Sequence, residues 1–61
     1  MRNEFNVERH IGKRWITTTS FSTKREGLEN LNYFRHTPLE DAREYRLVRV
    51  TKEEIAWVDT G

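Results

Sequence analysis

FSTKREGLENLNYFRH, residues 21–36, is the stretch on which the fold turns. Ser22 and Thr23 carry the short hydroxyl side chains that cap helices, and Thr23 with Glu26 has the capping-box spacing, which satisfies two orphan backbone donors at once. From Lys24 to Arg35, at about 100° per residue, Gly27, Leu28, Leu31 and Phe34 fall on one side, so this helix is expected to lay those four on a sheet. Glycine costs about 1 kcal/mol relative to alanine inside a helix, so Gly27 on the apolar stripe points to close approach by a bulky sheet residue. Trp15 is the expected neighbour. Pro38 has no amide donor and restricts the residue before it, which ends the helix and leaves a loop from about His36 to Ala42.

Upstream of the helix, Phe5 and Val7 alternate with Asn6 and Glu8, the period-2 pattern of a half-buried strand over Glu4 to His10. Ile11-Gly12-Lys13 interrupts the pattern with a residue that tolerates positive φ, and Trp15 to Phe21 follows as a β-branched and aromatic run. A hairpin is expected. Downstream, Glu44 to Thr51 is dense in strand formers, with Tyr45 and Leu47 on one face and Arg46, Val48 and Val50 on the other. Residues 52–61 fit a short helix opened by a second capping box, a fourth strand or a loose tail. The expected architecture is therefore one α+β domain spanning residues 1–61, ββαβ, with one helix on a three-stranded antiparallel sheet. Pattern alone leaves open which sheet face meets the helix, because a one-residue slip exchanges the faces.

Sixty-one residues, of which 34% are hydrophobic, support one small core and no more. Cysteine is absent, so neither a disulfide nor a thiolate zinc site can reinforce it. The first ten residues lack the apolar core of a signal peptide and no run approaches the ~20 apolar residues that cross a bilayer, so a cytoplasmic protein with no membrane partner is expected. Eleven Lys and Arg against ten Asp and Glu give +1, too little for strong attraction to a polyanion and too positive for a mimic of the DNA phosphate array.

Residues capable of chemistry are sparse. His10 and His36 lie in different elements without metal-ligand spacing, and each is expected to be solvated, His36 also favoured by the helix C-terminus. Ser20 and Ser22 lack a nucleophile elbow or a base. Glu40, Asp41 and Glu44 are interleaved with Arg43 and read as a self-compensated surface. Gly12, Gly27 and Gly61 are too dispersed to cradle a phosphate. No catalytic residue, metal site or cofactor is expected, and the chain reads as a binding protein rather than an enzyme.

Two sets of residues remain as candidate binding surfaces. On the sheet face away from the helix, Trp15, Thr17, Arg46 and Val48, together with an exposed Tyr33 on the helix, form a candidate protein-binding set; the competing possibility is that Ile55 or Trp57 folds over Tyr33. Lys13, Arg14, Lys24, Arg25, Arg46 and Arg49 form an alternative nucleic-acid-binding set, with Trp15 as a stacking residue. Arg25 also stands four residues before Glu29, where the two can pair along the helix. A sheet with open edges further suggests pairing of two copies of the chain.

Written as W...FSTKREGLENL...EYRLVRV, the chain resembles small phage-encoded ββαβ proteins, among them a short inhibitor that binds host RNA polymerase. The resemblance lies in an aromatic early strand, a helix introduced by a Ser/Thr pair and a Val/Arg-rich final strand. It implies a phage or mobile-element accessory protein that binds a host protein and modulates, in the main inhibits, it. No binding residue can be transferred. The run Phe21 to Glu26 is also similar to the start of the helix in the arm-type DNA-binding domain of tyrosine recombinases, from which this chain departs by placing a strand after the helix and by its low net charge.

Overall fold

The structure, a computed structural model, describes residues 4–51 and 53–60. Strands β1 (Phe5–Ile11) and β2 (Arg14–Phe21) form the expected hairpin, helix α1 (Lys24–His36) follows, and β3 (Glu44–Arg49) and β4 (Glu54–Asp59) form a second hairpin. All neighbours pair antiparallel in the order β2-β1-β3-β4. The fold is α+β as the pattern indicates, but the sheet has four strands rather than three. Residues 54–59 are neither a second helix nor a tail. A helix there would leave the outer edge of β3 unpaired, whereas β4 satisfies that backbone and brings Ile55, Ala56 and Val58 against the core.

Local chemistry explains the remaining boundaries. Gly12 takes φ +62° in the β1–β2 turn, the left-handed conformation that glycine adopts without a Cβ penalty. Thr23 is the N-cap: its Oγ1 accepts from the Glu26 amide at 3.3 Å and donates to Glu26 Oε1 at 2.8 Å. At the other end the Thr37 amide donates to the Tyr33 carbonyl at 2.8 Å, one residue before Pro38. The last strand-like residues of the 44–51 run, Val50 and Thr51, belong to the β3–β4 turn, where the Val50 amide donates to the Glu4 carbonyl and Arg49 to the Glu53 carbonyl.

The core lies between α1 and one sheet face and consists of Phe5, Val7, Leu31, Phe34, Ala42, Tyr45 and Leu47. Gly27 meets Leu47, not Trp15: a Cβ at position 27 would stand 2.5 Å from Leu47 Cδ1. Leu28, expected on the sheet, is 37% exposed, because the helix sits down on the line through Gly27, Leu31 and Phe34 and turns Leu28 to its flank. The Phe34 and Tyr45 rings stack at 4.9 Å with 3° between planes. The Tyr45 hydroxyl accepts from the Leu39 amide at 2.7 Å and donates to the Ala42 carbonyl at 3.0 Å, so one buried phenol pins the whole helix-to-β3 loop.

Each edge strand holds one extra residue. On β2, Thr18 stands between the pairs Val7 with Thr19 and Glu8 with Thr17; on β4, Ile55 stands between the pairs Leu47 with Ala56 and Val48 with Glu54. Each bulge inverts the alternation from one side of it to the other. Unbroken alternation from Phe21 would put Thr19, Thr17 and Trp15 on the helix side. With Thr18 inserted, Trp15 and Thr17 move to the opposite face, which is why Trp15 never meets Gly27.

Candidate functional site

Because paired residues share a face, the pairings define the surface away from α1: Asn6, Glu8 and His10 on β1, Trp15, Thr17 and Ser20 on β2, Glu44, Arg46 and Val48 on β3, and Glu54, Trp57 and Asp59 on β4. No helix of the described residues covers it.

Arg46 organises this face. Its Nε donates to Glu8 Oε1 at 2.7 Å, and its guanidinium carbon lies 4.2 Å from the centre of the Trp15 ring. The Glu8 side chain is 5% exposed and that of Arg46 25%, so the pair is largely withdrawn from water and the attraction between them is weakly screened. Trp57, directly across from Arg46 on β4, is 48% exposed. The centre of the face is thus a row: Thr17, Glu8, Arg46, Trp57. The next row is equally ordered. The His10 ring lies 4.7 Å from Trp15, and His10 Nδ1 is 3.1 Å from Glu44 Oε2. His10 is therefore packed and hydrogen-bonded, not the solvated strand end that its position suggested. Ser20 donates to Asn6 Oδ1 at 2.8 Å in the third row.

The expected protein-binding residues divide between two sides of the molecule. Trp15, Thr17, Arg46 and Val48 share the helix-free face, but Val48 is 2% exposed and offers a partner no direct contact. Tyr33 stands on α1, across the sheet from them, 57% exposed with its ring edge-on to Phe34 at 5.5 Å. The tail does not cover it, since Trp57 faces the other way and Ile55 joins the core. Trp57 itself was missed as a surface residue. Its apolar flanks Ile55, Ala56 and Val58 gave a core-like run, and only the Ile55 bulge and the pairing to Arg46 show where the indole points.

The nucleic-acid set is dispersed more widely. Lys13 and Arg14 lie at the β1–β2 turn and Lys24 and Arg25 at the start of α1, at opposite ends of the eight-residue β2, roughly 20–25 Å apart at about 3.3 Å per residue. Arg25 pairs with Glu29 at 3.4 Å, as its spacing indicated. Arg46 is held by Glu8, and Arg49 lies on the helix side with its guanidinium carbon 5.5 Å from the Phe5 ring centre. Two of the loop carboxylates have partners other than Arg43: Asp41 pairs with Arg9 at 3.5 Å and Glu44 Oε2 lies 3.1 Å from His10 Nδ1, while Arg43 reaches Asp59 at 3.6 Å.

Among the described residues, no group of three or more His, Cys, Asp or Glu side chains is placed to hold a metal ion, and no helix is long and apolar enough to cross a membrane. No protein-family model, no curated protein and no solved structure matches the chain.

Proposed function

We propose that this chain is a cytoplasmic accessory protein of a phage or mobile element that binds a host protein through the helix-free sheet face and modulates it. The observation that carries the binding reading is the fixed Glu8–Arg46–Trp15 cluster with the half-exposed Trp57 beside it. Trp and Arg dominate binding hot spots, and side chains already locked in place lose little entropy when a partner docks. A small domain does not need a 2.7 Å ion pair on the face its helix leaves open; a docking surface does need such order. The bulges at Thr18 and Ile55 blunt both sheet edges, which favours docking on the face over pairing of edges between copies. The host-directed role rests on the resemblance of layout alone.

Nucleic-acid binding is the weaker reading, because the six basic residues it uses form no common patch and two of them are already paired with carboxylates. The test is capture of a partner from bacterial lysate with the tagged chain, with and without nuclease. A protein retained after nuclease treatment and lost with Trp57→Ala supports the proposal. Recovery of nucleic acid alone, lost at high salt, overturns it.

A further inference from the structure

The charge of the helix-free face is opposite in sign to that of the chain. The chain carries +1, yet the described residues on this face bring four carboxylates, Glu8, Glu44, Glu54 and Asp59, against two guanidiniums, that of Arg46 and that of Arg43, which reaches over to Asp59 from the β3 end. Arg46 is consumed by Glu8. Glu54 is exposed and has no ion-pair partner among the described residues. Trp57 stands on the same strand between Glu54 and Asp59, its ring 48% exposed. An indole face attracts a cation through its quadrupole, and the Glu54 carboxylate on the same strand adds to that attraction while repelling an anion.

We infer that the helix-free face docks a Lys/Arg-rich segment of a partner protein, one cationic side chain of that segment resting on Trp57 beside Glu54. This assignment rests on the docking-face reading and adds the partner's chemistry to it. It accounts for three features together: the exposed tryptophan, the excess of carboxylates on one face of a weakly basic chain, and the internal neutralisation of Arg46, which would otherwise repel such a segment. Arg46 and Trp15 are then supports that hold the surface in shape, and Trp57 and Glu54 make the contact.

The experiment titrates the full isotopically labelled chain with an octa-arginine peptide and follows the Trp57 indole N–H resonance. Saturable binding at that resonance is expected, weakened several-fold by Glu54→Lys, which loses one exposed attraction and adds a like-charge repulsion, each small in water. Glu29→Lys makes the same change in net charge on α1, where the side chain is 69% exposed, and leaves the affinity unchanged. Equal losses in both variants, or no saturable shift at Trp57, overturn the inference, as does tighter binding of octa-glutamate or single-stranded DNA at this face. Trp57→Phe accompanies Trp57→Ala, with far-ultraviolet circular dichroism for both, so that loss of binding is separated from loss of fold. For a partner captured from lysate, dependence on Trp57 without dependence on Glu54 overturns the basic-segment assignment and leaves the docking face standing; dependence on neither overturns both.

Discussion

Arg46 and Leu47 are adjacent in β3, yet they belong to different kinds of structure. Leu47 turns toward α1, is completely buried, and fills the space that Gly27 leaves by lacking a Cβ. Arg46 turns the other way and is held by a carboxylate and an indole. On the helix side, order comes from shape: apolar side chains at close-packed contact, with one phenol tying down a loop. On the open side, order comes from directional polar contacts, with Arg46 bonded to Glu8 and stacked over Trp15. The difference teaches that one sheet is held by shape on the face under the helix and by directional polar contacts on the face the helix leaves open.

The comparison breaks most sharply at Leu47. Leu47→Ala removes a fully buried side chain from the closest helix-sheet contact and is expected to cost about 2–5 kcal/mol, a large share of the stability available to a chain this short. Urea denaturation checks it, with the variant substantially unfolded before denaturant is added. Gly27→Val in the same background has room for its side chain and is expected to recover part of the loss, whereas alone it overpacks the contact by about 1–3 kcal/mol. Failure of the double variant to exceed the Leu47→Ala variant in midpoint would show that the two residues do not share one space.

Tyr45→Phe preserves the stacking on Phe34 but removes both hydrogen bonds to the loop. A loss of about 1–3 kcal/mol is expected, since the Ala42 carbonyl and Leu39 amide lose a partner at a part-buried site. Hydrogen exchange of the Leu39 and Ala42 amides should accelerate more than that of β1. Uniform acceleration would place the hydroxyl in the global fold rather than in the loop.

How much of this was legible in the sequence follows the same division. The capped helix, the Gly12 hairpin and the facing of Tyr45 and Leu47 were readable because each depends on neighbouring residues: a hydroxyl three positions before a glutamate, a glycine in a turn, an alternation of period two. Trp15 lies on the open face as its place in the protein-binding set required, but it is not the neighbour of Gly27, because a bulge in a run of three threonines leaves no local signal; Thr17, Thr18 and Thr19 are equivalent until a partner strand chooses which one to skip. The fourth strand stayed ambiguous for the same reason, since Ile55 to Val58 declares itself only by pairing with β3. Glu8 looked like an ordinary outward residue, and its partner Arg46 lies 38 positions away. Contacts made by long-range pairing carry the candidate site, and those are the contacts that a reading of local pattern does not reach.

On the open side, Arg46→Met strips the buried Glu8 carboxylate of its counterion and is expected to cost about 1–2 kcal/mol, less than a fully buried pair because the Arg46 side chain is 25% exposed. Adding Glu8→Leu removes the stranded charge and should restore most of the stability, because an apolar pair of similar size replaces an ion pair at little net cost. Thermal denaturation of the two variants tests this. Recovery in the double variant would show that the ion pair is dispensable for folding; no recovery would make it part of the core and remove the contrast between the faces.

Trp57→Ala should have the smallest effect on stability and the largest on binding. The residue lies on an edge strand with about half of its surface in water, so its cross-strand contact with Arg46 accounts for roughly 0.2–1 kcal/mol. Its partner affinity, by contrast, should fall by about 30-fold or more if the indole is a hot spot, since such residues contribute about 2–4 kcal/mol or more. Tyr33→Ala, at a somewhat more exposed aromatic on the helix side, is the matched comparison. Both substitutions should leave the unfolding midpoint nearly unchanged, and only the first should abolish capture of a partner. A reversal, with Tyr33 required and Trp57 dispensable, would move recognition to the helix and make the ordered cluster around Arg46 a stabilising feature of the sheet.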